Sequence, residues 1–294
     1  MRVSDGMLQD QALRSIERAR DRASTASSVA SSGMRVEKPS DDPVAFALAR
    51  RETARQATAQ ASERTADHGL ALTTGAEGAL GGVSDALSRA RELAVQMSNG
   101  TYSASDRAAV AHEVRGLRSD IASLGNTQVK GQYVFGGYLD SAPPFDAVTG
   151  AYSGDNAVPR LEVAPHLHLP IVVPGGTTFG AGSGTDILAT LDNLATALDA
   201  NNITNVRASL TGIDASFQQI NDARAELGSQ MLAFEGARAG AQVAQDTAAT
   251  SRAQLVEIDP YRAYSNLANA QTALDAAVSV ASKLPFRGLV NSGG

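Results

Sequence analysis

Apolar residues recur along this chain at alternating three- and four-residue steps over most of its length, and the pattern lapses in one central segment. Before that segment, Ala76, Leu80, Val83, Leu87, Ala90, Ala94 and Met97 make one ladder, and Val110, Val114, Leu117, Ile121 and Leu124 make a second. After it come Ile187, Leu191, Leu194 and Leu198, then Val206, Leu210, Ile213, Phe217 and Ile220. Leu227, Met231 and Phe234 keep the register past an intruding Arg224. This spacing holds one stripe on one side of an α-helix, the seam of helices packed nearly parallel, and a strand of period two cannot use it. Thinner ladders occupy the two ends: Met7, Leu13, Ile16, Ala23 and Ala30, and Leu267, Ala270, Leu274, Ala277, Ala281 and Leu284. The pattern predicts a mainly α chain with a small β-rich insert, in which both halves build one long antiparallel coiled-coil helical bundle.

Turn and cap residues divide the ladders. Asn99-Gly100 closes one helix and Ser105 with Asp106 starts the next, while Thr185-Asp186 is an N-cap pair before Ile187. Two other helix starts share one chemistry, Asp42-Pro43 and Asp259-Pro260. In each the carboxylate can accept from the first free N–H groups and Pro suits the first helical position. The first helix is expected from about Ser4 to Ser31, with Gly33 as its C-cap. Six of the ten prolines lie between Gly131 and Gly182, at 143, 144, 159, 165, 170 and 174. That segment cannot stay helical, and its runs Gln132 to Phe135, Arg160 to Val163 and His166 to Val173 read as strands. The expected organisation is a terminal helical assembly domain (1–42 with 259–294), a helical bundle domain (43–130 with 183–258) and the β-rich insert (131–182).

A one-stripe helix cannot hide that stripe alone, so each terminal helix needs a partner. Burying a Leu contributes about 1.5 to 3 kcal/mol, whereas a lone helix is marginal because its first turn is costly to form. Small residues dominate the last ladder, so each contact is weak. We expect the ends to be mobile in the monomer and to order on meeting each other and neighbouring copies. A permanently folded intramolecular helix bundle satisfies the same periodicity. The expected assembly seam is Met7, Leu13, Ile16, Leu267, Leu274, Ala281 and Leu284, with Asp42, Pro43, Asp259 and Pro260 as helix-start caps.

Composition narrows the classes. Only 4% of residues are aromatic and Trp is absent, which suits thin seams better than one large core. A formal charge of −6 argues against nucleic acid, whose phosphates require clustered Lys and Arg. The basic stretch Arg14 to Arg22 is interleaved with Glu17 and Asp21 and reads as a solvated face with i,i+4 pairs. Cysteine is absent, which excludes disulfides and thiolate chemistry. No 18-residue apolar run exists to span a membrane, and Met1 to Ser24 alternates charged with apolar residues where a signal peptide needs a continuous apolar stretch. If the protein leaves the cell, it does so without a cleaved signal.

Candidate chemistry is sparse. Asp41 and Asp42 could be imagined as an acid-base or metal pair, but helix capping explains both. His166 and His168, two apart in an expected strand, would share one face, with Glu162 the nearest further ligand; a solvated β surface explains them as well. Gly180-Ala181-Gly182-Ser183-Gly184 lacks the Lys-Ser/Thr of a phosphate loop and reads as a flexible connection. No nucleophile elbow is present, and a triad gathered from distant residues leaves no local trace. No catalytic, cofactor or metal site is expected.

Ser31-Ser32-Gly33-Met34-Arg35-Val36-Glu37-Lys38-Pro39-Ser40-Asp41-Asp42-Pro43 resembles the signature shared by flagellins and flagellar hook-associated proteins. Thr74 to Leu80 and Ala90 to Gln96 are similar to both. Two features resemble the hook-associated protein 3 branch more than flagellin: the Pro-bracketed Pro39 to Pro43, and Gly131-Gln132-Tyr133-Val134-Phe135-Gly136-Gly137 continuing to Pro143-Pro144-Phe145 and Tyr152-Ser153-Gly154-Asp155. Asp259-Pro260-Tyr261-Arg262-Ala263-Tyr264-Ser265-Asn266-Leu267 also fits. The resemblance implies an extracellular structural subunit of the bacterial flagellum, needed for motility, that forms a homo-oligomeric ring at the hook-filament junction. It implies contact with a neighbouring hook-associated protein and flagellin, both termini in the inner helical layer, and passage through the flagellar export apparatus with a chaperone on the C-terminal region. The sequence departs from the family after Leu284, where Pro285 interrupts and Phe286 to Gly294 trails into Ser292-Gly293-Gly294. The rival readings are the filament subunit flagellin, a soluble coiled-coil signalling or interaction protein, and an enzyme housed in the insert.

Overall fold

In the computed structural model the described residues are 5–182 and 184–283. Leu284, the tail after it and the expected first residues of the N-terminal helix lie outside them. Among the described residues seven helices and four short strands follow in order: α1 (Asp5–Ser32), α2 (Pro43–Met97), α3 (Ala104–Gly125), β1 (Gln128–Val129), β2 (Gln132–Tyr133), β3 (Arg160–Ala164), β4 (Leu167–Pro170), α4 (Gly175–Thr178), α5 (Ile187–Asp199), α6 (Ile203–Val256) and α7 (Pro260–Ser282). They form two compact units. One takes the described residues up to Ala57 and from Ala244, and the other is Thr58–Val243.

Within Thr58–Val243, α2 and α6 run antiparallel. Cross-helix polar contacts fix this direction: Asp67 pairs with Arg238 at 3.7 Å, Glu77 with Arg224 at 2.6 Å and Arg91 with Asp214 at 2.7 Å, and Arg207 donates to the Ser98 carbonyl at 2.9 Å. Partner numbers fall along α6 as they rise along α2. Arg224, which interrupts the apolar ladder, thus donates through Nε and Nη2 to Glu77. α3 packs on α5, held at its edge by Arg118–Asp192 at 2.7 Å and by Arg115–Asp199. The expected ladders supply the shared core: Leu80, Val83, Leu87, Met97, Val114, Ile121, Leu191, Leu194, Val206, Ile213, Ile220 and Leu227 are all buried.

The central segment contributes to that core. Val134, Phe135, Phe145, Val172, Val173 and Phe179 join the helical cluster. Phe179 lies 5.3 Å from Phe135 and 4.8 Å from Phe145, and Phe145 lies 5.1 Å from Tyr152, so the scarce aromatics are concentrated where loops meet helices. The strands expected from Gln132 and from His166 are shorter, β3 runs one residue past the expected Val163, and β1 is an addition. β1 and β2 form an antiparallel hairpin around Lys130 (φ 53°) and Gly131 (φ 84°), the two positive φ values of a type I′ turn. The expected strand from Gln132 ends at Tyr133, although the Val134 N–H still donates to the Thr127 carbonyl at 3.1 Å, and the Val134 and Phe135 side chains enter the core. β3 pairs with β4, with an irregularity between Glu162 and Ala164. Val163 packs with Ala66 and Phe234, with Leu161 and Leu169 alongside.

The third helix starts differently from expectation. Ser103 is its N-cap, and Ser103 and Asp106 form a reciprocal capping box, so Ser105 lies inside the helix. Arg107, one turn on, is 2% exposed, and among the described residues it makes no salt bridge. Its guanidinium donates instead to the Met97 carbonyl at 3.0 Å, Asn99 at 2.6 Å, Tyr102 at 2.9 Å and the Asn201 side chain at 2.5 Å. It therefore satisfies the orphan carbonyls at the end of α2, where the helix dipole is negative, and ties them to the α5–α6 turn.

Phe234 is fully buried, and a Cβ placed on Gly69 would run into its ring. Gly69→Ala is expected to overpack this site at a cost of roughly 1 to 3 kcal/mol. In a Phe234→Leu background, which frees the space, the same substitution should cost measurably less. Urea denaturation of the four proteins in the cycle checks the coupling, and additive losses would contradict the contact.

Candidate assembly surface

The unit that holds the chain ends is built on α1 and α7, which pack together. Their direction follows from the ends. The Ile258 N–H donates to the Gly33 carbonyl at 3.0 Å, and Met34 and Glu257 form an antiparallel bridge, so the finish of α1 lies beside the start of α7. Gly33 takes φ +69° as the residue that ends α1. The Asp259 carboxylate accepts from the Arg262 N–H, with Pro260 in the first turn. The Asp42 carboxylate accepts from the Ala45 N–H at 2.9 Å as α2 begins.

Ala263, Leu267, Ala270, Leu274, Ala277 and Ala281 form the less exposed stripe of α7. Ala263 alone is buried among the described residues of α7, and the other five residues of the stripe are half-buried. On α1 the less exposed stripe is Ala12, Ile16, Ala19, Ala23, Ala26 and Ala30. Its three- and four-residue steps match those of α7. Met7 and Leu13 stand off this stripe at 64% and 59% exposure, because both fall to the side of the line that runs through Ala12, Ile16 and Ala19. Tyr261, Tyr264, Val278 and Val280 are likewise exposed on α7. Leu284 lies outside the described residues.

The connection from α1 to α2 is tightly tied. Arg35 donates through its N–H to the Val256 carbonyl at 2.7 Å and through Nη2 to the Leu255 carbonyl at 2.8 Å, and it pairs with Asp42 at 3.4 Å. Val36, Ala45, Ala49 and Val256 make a small core beneath it. Asp41 accepts from the Glu37 and Lys38 N–H groups at 3.0 and 2.9 Å, closing the loop, while Asp42 caps the helix. The adjacent carboxylates thus serve different backbone segments. Both lie below the ordinary aspartate value of 3.8: Asp41 because the Lys38 and Glu37 amides hold its ionised form, Asp42 chiefly because of the Ala45 amide, with Arg35 reinforcing it.

Two expectations about candidate chemistry are corrected. His166 is not in a strand; it occupies the turn between β3 and β4 with φ 67°, its N–H donating to Glu162. Its side chain therefore does not share a strand face with His168, which pairs across to Glu162. Among the described residues no group of three or more His, Asp and Glu is placed to hold a metal. The glycine run is flanked by a clamp rather than forming a free connection. The Gln219 side chain accepts from the Thr185 N–H at 3.0 Å and donates to the Thr178 carbonyl at 2.9 Å. Sequence reading missed Arg107, Arg35 and Gln219, since one polar side chain that bonds distant carbonyls leaves no periodic trace. Among the described residues no helix is long and apolar enough to cross a membrane.

Paired terminal helices joined to a helical core define a flagellin-type protein, and residues 3–140 match the bacterial flagellin N-terminal helical region while 210–286 match its C-terminal helical region. The chain is 31% identical to flagellar hook-associated protein 3 of Escherichia coli over 94% of each chain, and 29% identical to that of Salmonella typhimurium over 79% of this chain and 80% of the other. It belongs to the flagellar hook-associated protein 3 family and is a structural protein of the bacterial flagellum. Its fold is also similar to a solved structure described as a putative flagellar hook-associated protein from Vibrio parahaemolyticus, with a TM-score of 0.68 at 21% identity, covering 74% of this chain and all of that one. The flagellar junction protein of Legionella pneumophila aligns with a TM-score of 0.58 at 17% identity, over 71% of this chain and all of that one.

The depressed carboxyls give the loop between α1 and α2 a defined pH response. Their folded values lie below the unfolded one, so their stabilisation is fully present above the ordinary aspartate range and disappears as pH falls through the depressed values. Carboxyl NMR titration should find Asp41 and Asp42 below 3.8; ordinary midpoints would remove the loop hydrogen bonds from this account.

Proposed function

We propose that this chain is the subunit joining hook to filament, and that copies assemble into a ring through α1 and α7. In this reading the ring meets a neighbouring hook-associated protein on one side and flagellin on the other. The subunit leaves the cell through the flagellar export apparatus without a cleaved signal, and an export chaperone holds its C-terminal region beforehand. It acts by assembly, not catalysis.

The observation that carries the reading is the shortage of burial in the α1–α7 pair. Half-buried leucines and alanines, together with exposed Met7, Leu13, Tyr261, Tyr264, Val278 and Val280, leave apolar surface for further helices. Small residues let helix axes approach closely, and each contact contributes little, which favours interfaces formed cooperatively by many copies. The caps Asp42 with Pro43 and Asp259 with Pro260 fix where these helices and their neighbours begin.

Leu274→Asp places a charge on the α7 stripe and is expected to abolish motility and incorporation at the junction, and to weaken chaperone binding. Helical content from Thr58 to Val243 should persist by circular dichroism. Normal motility would remove the last ladder from assembly, and long filaments grown from purified protein without a cap would point to a filament subunit. Limited proteolysis of the monomer should trim both ends, leaving roughly residues 43 to 258. Resistance there would favour a permanently folded helix pair.

A further inference from the structure

Asn99-Gly100 is the one Asn-Gly pair in the sequence, and it sits in the exposed turn between α2 and α3. Its geometry favours attack of the following backbone nitrogen on the side-chain amide. Gly100 has no Cβ, and the space a Cβ would fill is open. The Gly100 N–H makes no hydrogen bond among the described residues, while the Asn99 Oδ1 accepts from the Thr101 N–H at 3.2 Å. That bond engages the side-chain oxygen and polarises the carbonyl to be attacked. Other asparagines lack this combination: Asn126 is bonded on both sides of its amide to the Phe145 backbone, and Asn201 is held by Arg107.

The second element is Arg107. This buried guanidinium donates to the Asn99 main-chain carbonyl at 2.6 Å, and all its bonded acceptors are neutral. The nearby acid, Asp106, is engaged with Ser103. Arg207 adds a second positive charge on the adjacent Ser98 carbonyl.

We propose that Asn99-Gly100 is a self-modification site at which the chain converts to isoaspartate, with Arg107 selecting that product. The Gly100 nitrogen, losing its proton to solvent base, bonds to the Asn99 Cγ. The Cγ–Nδ2 bond breaks, and ammonia leaves with a proton from water, giving a cyclic imide. Water then adds to the former main-chain carbonyl carbon of Asn99, whose oxygen Arg107 polarises. The bond from that carbon to the Gly100 nitrogen breaks, the nitrogen regains a proton, and the chain now runs through Cγ. The freed main-chain carbonyl becomes a carboxylate next to a cation that previously had neutral partners. The product therefore supplies the counter-charge that the buried arginine lacks. The modification is independent of the assembly reading.

The test ages the purified full chain in mildly alkaline buffer and follows the tryptic peptide Glu92–Arg107 by mass spectrometry, with fragmentation that separates isoaspartyl from aspartyl products. The peptide should acquire the mass of an amide-to-acid conversion progressively, faster as pH rises. The isoaspartyl share should be greater in the folded protein than in the same chain aged in urea. Gly100→Ala, for which the structure has room, should slow the conversion several-fold without changing the circular dichroism. Arg107→Lys, checked for folding in the same way, should lower the isoaspartyl share. An amide that persists in the folded chain while the denatured chain converts would overturn the site. Conversion with equal product shares in both states would overturn the role of Arg107.

Discussion

Two helices in contact can each turn one side inward, and the rest of both surfaces faces outward whatever the sequence. This constraint governs the unit that holds the chain ends. α1 and α7 meet along alanine-rich stripes in which Ala19 and Ala263 are buried and the larger Ile16, Leu267 and Leu274 remain partly open. Lengthening such a pair adds seam and surface in proportion, so it never acquires an interior. The apolar residues left there are surface for further helices, which in the proposed assembly come from copies of the same chain.

The unit from Thr58 to Val243 meets the same constraint differently. Here α2 and α6 lie antiparallel, α3 packs on α5, and the Pro-rich segment covers what helices alone leave exposed. Phe135, Phe145 and Phe179 fill the junction with bulky rings. Val163 and Phe234 fill a second contact, where Gly69 leaves room for the ring. The insert therefore completes a core as well as interrupting the helices. Solvent-exposed ion pairs such as Arg91–Asp214 are each worth about 0.2 to 1 kcal/mol and select direction and register more than they add stability.

Polar side chains that bond backbone finish the ends of the elements. Arg107 closes α2, Gln219 holds the chain on either side of the glycine run, and Arg35 with Asp41 and Asp42 ties the link from α1 to α2. Each satisfies carbonyl or amide groups that would otherwise compete for water at a turn. This economy matters in a chain with few aromatics and no cysteine, which has neither large cores nor disulfides to hold its loops.

Periodicity alone determined the helices, because a three-four repeat of apolar residues has one backbone that places it on one side. The Asp-Pro pairs determined where α2 and α7 begin, since capping and a fixed φ are local properties. The resemblance carried by Gly33 to Pro43 and Gly131 to Gly137 then specified the flagellar family, which no spacing argument reaches. Tertiary structure decided what depends on distant partners: that Leu13 stands off the α7-facing stripe while Ala12 lies on it, that the Val134 and Phe135 side chains enter the core, that His166 takes the β3–β4 turn while His168 stays in the strand, and that Arg107 serves α2 and the α5–α6 turn together. Local chemistry is written in neighbouring residues, whereas a contact across a hundred positions exists only after the helices have chosen their faces.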